Sequence, residues 1–126
     1  MPTLRIKDLF EDRYLAFDLK DLLLVLGHEA GDLSWKCDVE WCIAVDDTAT
    51  LEDQFNGPSA IKGDDLLELA VNTRQVVDGV FEGCKAGSRT PWVKLEAIDS
   101  SYWEVTADEV VIDRFRRHFR NVEVVA

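Results

Sequence analysis

The clearest hydrophobic pattern in the chain is an alternation that runs from residue 33 to residue 45. Every odd position in this segment is apolar: Leu33, Trp35, Cys37, Val39, Trp41, Ile43 and Val45. The even positions begin polar and become apolar only at Cys42 and Ala44. A period of two residues predicts a β-strand with one buried face, so we expect Trp35 and Trp41 to lie in the core.

The length of this segment leads to a second expectation. At ~3.3 Å per residue, an extended strand over residues 33–45 would span ~40 Å. A chain of 126 residues folds into a globule only ~36 Å across. The strand must therefore twist, bulge or bend, and we expect it to be a long central strand of the sheet.

Three segments show the spacing of an amphipathic helix, and they cover residues 19–26, 64–73 and 107–119. Asp18 precedes the first as a predicted N-cap, and Gly27 follows it as a stop. Thr106 and Glu109 form a capping box at the start of the third. We expect these helices to lie on the sheet.

Two segments allow more than one interpretation. Residues 67–77 also alternate, which is typical of a strand, but an acidic cap at Asp65 favours a helix over 64–73. The pair at 78–79 is Asp-Gly, a two-residue hairpin signal. We expect residues 75–84 to form one strand with a bulge at this pair, and the hairpin is the alternative.

The rest of the pattern predicts short strands joined by loops. Residues 75–106 predict an antiparallel meander, and further short strands are expected within residues 3–10, 14–17 and 122–124. Residues 28–32 and 46–62 show no sustained period and are expected to be loops. These elements predict one α+β domain over residues 1–126, with a mainly antiparallel sheet of about five to seven strands and two to three helices.

Charge is the unusual feature of the composition. The net charge is −11, and residues 1–83 hold 18 acidic and 7 basic side chains, whereas residues 84–126 hold 7 of each. Between Lys36 and Lys62 there are six acids and no base. Such a field repels nucleic-acid phosphates and anionic membranes, so we expect neither as a partner, and it attracts a basic protein or a cation. The simpler explanation is that the charge keeps a small protein soluble.

The cysteines and the N-terminal residues predict a reduced, cytoplasmic protein. Cys37, Cys42 and Cys84 are odd in number, and the first two are expected on opposite faces of one strand, where they cannot form a disulfide. The N-terminal segment has no apolar signal region. The longest aliphatic run, residues 22–26, is far shorter than the ~20 residues that span a membrane.

The sequence contains no motif that predicts catalysis, a cofactor or a metal. There is no glycine-rich phosphate loop, no nucleophile elbow and no CxxC pair. Residues 28–32 share the first His-Glu of the zinc-binding HExxH helix, but Gly27 and Gly31 interrupt that helix. We therefore expect no catalytic residue, no cofactor and no metal ligand.

The acidic region supplies the main functional hypothesis, which is a non-enzymatic protein-binding module. Inhibitor or immunity-type proteins that neutralise a basic partner are small, acidic and α+β, as this chain is, although no motif specifies a family. Complementary charge would speed association with such a partner. The candidate partner-binding residues are Asp38, Glu40, Asp46, Asp47, Glu52, Asp53, Asp64, Asp65 and Glu68.

Two alternatives come from other classes of protein. A small carboxylate-dependent enzyme or metal-binding protein would need Asp46, Asp47 and Asp78 to converge in one pocket. A self-associating structural subunit would use an apolar surface instead. The sequence leaves the oligomeric state open.

Overall fold

The structure, a computed structural model, describes residues 1–10, 14–46 and 51–125. The strands of this part are β1 (Thr3–Ile6), β2 (Leu9–Phe10), β3 (Tyr14–Leu15), β4 (Ser34–Ala44), β5 (Ile61–Lys62), β6 (Thr73–Cys84), β7 (Val93–Ile98), β8 (Tyr102–Ala107) and β9 (Val122–Val124). The helices are α1 (Leu19–Leu26), α2 (His28–Asp32), α3 (Leu51–Phe55), α4 (Gly63–Val71) and α5 (Glu109–His118).

Seven of these strands form one antiparallel sheet in the order β5-β4-β6-β7-β8-β1-β9, and β2 pairs with β3 separately. Strands β6, β7 and β8 are consecutive neighbours, which confirms the predicted meander. The α+β class is confirmed, as are the three predicted helices in α1, α4 and α5. Of residues 67–77, which could have been a strand, those up to Val71 belong to helix α4 and those from Thr73 belong to β6, which runs through residues 78–79 without a hairpin.

The core lies between one face of the sheet and the helices. Strands β6, β7 and β8 alternate between buried and half-buried residues, because only one face of each strand is covered. The covered face contributes fully buried side chains such as Phe81, Leu95 and Val105. On the helix side, Leu22 of α1 and Phe115 of α5 are equally buried and belong to the same cluster.

Asp18, the predicted N-cap of α1, joins this helix to the sheet. Its Oδ1 accepts the backbone N–H of Val76 on β6 at 3.1 Å, and its own N–H donates to Asp21 Oδ2 at 2.8 Å. The side chain is 8% exposed, and Oδ2 has no hydrogen-bond partner. Burial raises the pKa of this carboxyl to about 7.

The long strand β4 differs from its prediction in position and in phase. It lies second from one end of the sheet rather than at the centre, and β5 covers only its first two residues. Val39 pairs with Gly79 and Trp41 pairs with Asp78, so Glu40 is an extra residue that forms a bulge. The register also shifts between Trp41 and Cys42, which pair with Asp78 and Val76, so Val77 of β6 is an extra residue directly before the predicted Asp78-Gly79 pair. Irregularities therefore lie on both strands.

The bulge changes which side chains of β4 face the core. Trp35 and Val39 are buried as expected, but beyond the bulge the buried residue is Cys42. Trp41 and Val45 are 57% and 56% exposed, so their predicted place in the core was wrong. An inserted residue reverses the alternation of a strand, because side chains on a strand repeat every two residues.

Three further local predictions are corrected. Residues 28–32 form the short helix α2 instead of a loop, and residues 46–62 contain α3 and β5. Helix α5 is capped by Asp108, whose Oδ1 accepts the N–H of Val111 at 3.1 Å, rather than by the predicted capping box. Both short helices are held by packing, since Ala30 of α2 and Phe55 of α3 are buried.

Candidate functional site

The acidic residues of three separate segments lie on adjoining elements at the β4 end of the sheet. Helix α3 packs against β4 and α4, and α4 packs against β4 and β6. These elements carry six exposed carboxylates, which we call the acidic edge: Asp38, Glu40, Asp53, Asp64, Asp65 and Glu68. Residues that are up to 30 positions apart in the sequence are thereby brought onto adjoining elements.

Helix α3 is held against the free edge of β4 by side chains that act as a neighbouring strand would. Asn56, directly after α3, accepts the N–H of Val39 through Oδ1 and donates to its carbonyl oxygen through Nδ2, both at 2.7 Å. Phe55 is 1% exposed and packs edge-on against Phe81, with ring centroids 5.6 Å apart. An open strand edge is a site of unwanted pairing, and these contacts close it.

Glu52 belongs to this closure and not to the exposed surface. Its Oε1 accepts the backbone N–H of Cys42 at 3.1 Å and lies 3.6 Å from the Cys42 sulfur. Hydrogen bonds from its own backbone N–H and from that of Cys42 lower its pKa. Glu52 was predicted as a partner-binding residue, and the structure gives it a role within the fold.

Two open grooves border α4. One, of about 420 Å³, lies between α3 and α4 and is lined by Gln54, Ile61, Asp65, Glu68, Leu69 and Asn72. The other, of about 460 Å³, lies between α4 and the pair α1 and α2, and Asp64 and Asp32 reach it together with His28. The acids of α4 therefore face two grooves, and only Asp65 and Glu68 share one.

The remaining predicted site residues that the structure describes line neither groove. Asp38 and Glu40 are exposed on β4, Asp53 is exposed on α3, and Asp46 is exposed just after β4. Asp47 lies outside the described residues.

Ion pairs do not neutralise the acidic edge within residues 1–10, 14–46 and 51–125. The salt bridges there join Arg5 to Glu104 and Glu123, Lys94 to Glu96, and Arg114 to Glu29. All of these lie on other elements. The negative field of the six carboxylates is therefore left to act on solvent and on approaching molecules.

The cysteines and the acids of this region provide no evident catalytic centre. Burial raises the pKa values of Cys37 and Cys42 to about 12, so both remain thiols near neutral pH and are poor nucleophiles. In the described ranges, no group of three or more His, Cys, Asp and Glu side chains is arranged to hold a metal ion.

Two residues of this region were not predicted from the sequence. Asn56 precedes Gly-Pro and had only the pattern of a turn residue. Trp41 was assigned to the core, and the signal that could have revealed its exposure is the change to apolar residues at Cys42 and Ala44. That change in the pattern marks the position of the bulge in the sequence.

Comparison with known proteins adds no assignment. A scan against protein families, a search of curated proteins and a search of solved structures each found no match. In the described part of the chain, no helix is long and apolar enough to cross a membrane.

Proposed function

We propose that this protein is a small acidic binding module, of the inhibitor or immunity type, that docks on a basic protein partner through the acidic edge. The observation that carries the proposal is the set of six exposed carboxylates, from three adjoining elements, that form no ion pair within the described chain. Like charges oppose folding, so their accumulation at one end of the sheet of a small protein calls for a compensating role.

The physical advantage of such a surface is in recognition. Charges that lie within the screening length, about 8 Å at physiological ionic strength, act together. A concentrated negative field attracts a basic protein from a distance and orients it before contact. The same field repels acidic proteins and nucleic acids, which favours the correct partner.

The test is affinity capture from a cell lysate at low salt, with stepwise elution by increasing salt and identification by mass spectrometry. We expect a basic protein that is released as the salt concentration rises, since screening weakens an association driven by charge. Binding that does not respond to salt would contradict the proposal.

A pair of matched double variants separates this surface from net charge. Asp65→Asn with Glu68→Gln removes two charges from α4, and Glu109→Gln with Asp113→Asn removes two from α5. All four side chains are exposed, and each pair begins in the first turn of its helix. We expect capture to weaken in the α4 variant only, and equal weakening in both variants would show that net charge alone is responsible.

A further inference from the structure

Trp41 places an indole ring in water next to the acidic edge. Its neighbours on β4, Val39 and Cys42, are 2% and 7% exposed, whereas Trp41 is 57% exposed. The bulge at Glu40 causes this change of face, and bulges commonly redirect a side chain towards a functional site. The exposed ring is therefore built into the backbone of the strand.

An exposed tryptophan is an unusual residue for a protein of this size. Among the large apolar side chains that are exposed in the described chain, Trp41 alone is aromatic. Leaving such a side chain in water forgoes the favourable free energy of burying it. Tryptophan is also among the residues that contribute most when a protein interface forms.

The charges around the ring select the kind of ligand. Glu40 precedes Trp41 and is exposed, and Asp78 lies opposite it on β6. Asp78 is held in place because its Oδ1 accepts the N–H of Asp99 at 2.8 Å. Carboxylates at the positions next to a residue along and across the strands favour a cationic ligand, which an indole ring also attracts.

Elsewhere in this protein, an arginine already contacts an aromatic ring and a carboxylate in this way. On β1, the Arg5 guanidinium lies 4.3 Å from the centre of the Tyr102 ring, and its Nη2 and Nε lie 2.9 Å and 3.1 Å from Glu104 Oε2. The neighbours of Arg5 on β1, Leu4 and Ile6, are fully buried, so Arg5 is on the face of the sheet that the helices leave open. At Trp41 the ring and the carboxylates are present, but within the described ranges the cations that lie over rings are at Tyr102 and Trp92 and not at Trp41.

We propose that Trp41, with Glu40 and Asp78, is the docking point for an arginine side chain of the basic partner. The guanidinium would stack on the indole and donate its N–H groups to the carboxylates. Arginine fits better than lysine, since its planar group stacks on a ring and donates two parallel hydrogen bonds. This inference rests on the proposed function, because it specifies how that partner is held.

The experiment is a titration of ¹⁵N-labelled protein with two synthetic peptides, one rich in arginine and one with lysine at the same positions. The readout is the indole N–H signal of Trp41, which is assigned from its loss in Trp41→Phe. We expect a saturable shift of this signal, and binding that is roughly three- to tenfold tighter for the arginine peptide.

Variants of the ring separate stacking from general hydrophobicity. Trp41→Leu keeps apolar area without a π face, and we expect it to weaken arginine-peptide binding roughly three- to tenfold. Trp41→Phe should retain most of the binding. Leu24→Ser changes another exposed side chain, 64% exposed on α1, and should leave binding unchanged. Thermal unfolding verifies that each variant is folded.

The possible failures are distinguishable. If the backbone amides of Asp65 and Glu68 shift while the Trp41 signal does not, the arginine site is wrong and the acidic binding surface stands. Equal affinity for the two peptides, or unchanged binding by Trp41→Leu, also contradicts the arginine site. If neither peptide shifts any signal of the acidic edge or of Trp41, both proposals fail.

Discussion

The two ends of the sheet are stabilised in different ways. At one end β9 is a short edge strand, and Arg5 on the neighbouring β1 pairs with Glu104 at 2.9 Å and with Glu123 at 3.6 Å. At the other end the edge of β4 is closed by hydrogen bonds from Asn56 and Glu52. The six carboxylates of the acidic edge have no ion pair in the described chain.

The difference separates acids that are bonded within the fold from the acids of the acidic edge, which form no ion pair in the described chain. At the β9 end, acids are used internally: Asp8, for example, accepts the backbone N–H groups of Arg120 at 3.0 Å and of Asn121 at 2.6 Å. At the β4 end, one acid and one amide close the edge, and the other acids remain in solvent. We therefore expect that, at the β4 end, the variants that lower stability are different from the variants that weaken binding.

The largest effect is expected where α4 meets α2. A Cβ at Gly63 would lie 1.9 Å from the carbonyl oxygen of Ala30 and 2.5 Å from the Cα of Gly31. Because both are backbone atoms, the clash is relieved only if the helices separate. We expect Gly63→Ala to lower the free energy of unfolding by about 3 kcal/mol, measured by chemical denaturation.

The control for this change is Gly57→Ala, because a Cβ at Gly57 would meet nothing within 4 Å. Its free energy of unfolding should change by less than about 1 kcal/mol. Since α4 carries three members of the acidic edge, Gly63→Ala should also weaken partner capture. Equal stability of the two variants would contradict the close packing of α2 and α4.

The next effect is a pH dependence from Asp18, whose pKa is raised to about 7 by burial. The stability that this shift provides is fully present below the unfolded pKa of 3.8 and is lost as the pH rises through about 7. Between pH 5 and pH 8, the free energy of unfolding should fall by about 2–3 kcal/mol more in the natural protein than in Asp18→Asn. Denaturation at several pH values measures this difference.

Glu52 provides the contrast, because its hydrogen bonds lower its pKa. The stability from this shift is present above the unfolded pKa of about 4.5 and is lost as the pH falls through the lower folded value. Glu52→Gln should therefore alter the pH dependence only on the acidic side. If Asp18→Asn leaves the profile above pH 5 unchanged, the buried carboxyl does not titrate as described.

A smaller effect is expected at the closed edge of β4. Asn56→Ala removes two hydrogen bonds of 2.7 Å to the backbone of Val39, and we expect a loss of about 2 kcal/mol in the free energy of unfolding. The opened edge should also promote association, which sedimentation velocity detects. At the other end, Asn121→Ala removes one exposed bond of 3.2 Å to Lys7 and should cost less than about 0.5 kcal/mol. Similar losses in both variants would contradict the contrast between the two ends.

The elements that could be predicted are those whose side chains repeat without interruption. Helix α1 was found because its cap and its apolar spacing agree, and β7 and β8 were found because each strand alternates regularly. Strand β6 was found despite an interrupted alternation, since a bulge was expected in it. Helix α3 was missed, because it is a short segment held by tertiary contacts of Phe55 and Asn56. Local sequence carries little information about such contacts.

The sequence identified the acidic residues of the candidate site but not how these residues are arranged. The acids were identifiable as a group, but no pattern showed that Glu52 turns into the edge of β4. Trp41 was assigned to the wrong face of β4. The odd positions beyond Glu40 are still apolar, so their alternation alone does not show that Glu40 is an inserted residue.

The central claim is that negative potential is concentrated at the acidic edge, and it can be measured at each residue. Relaxation of amide protons by a cationic and by a neutral nitroxide probe, compared in one sample, gives the local electrostatic potential. We expect the most negative values at residues 38–40, 51–55 and 64–68, and weaker values at residues 116–120. A potential that is uniform over the surface, or most negative near α5 and β9, would contradict this claim.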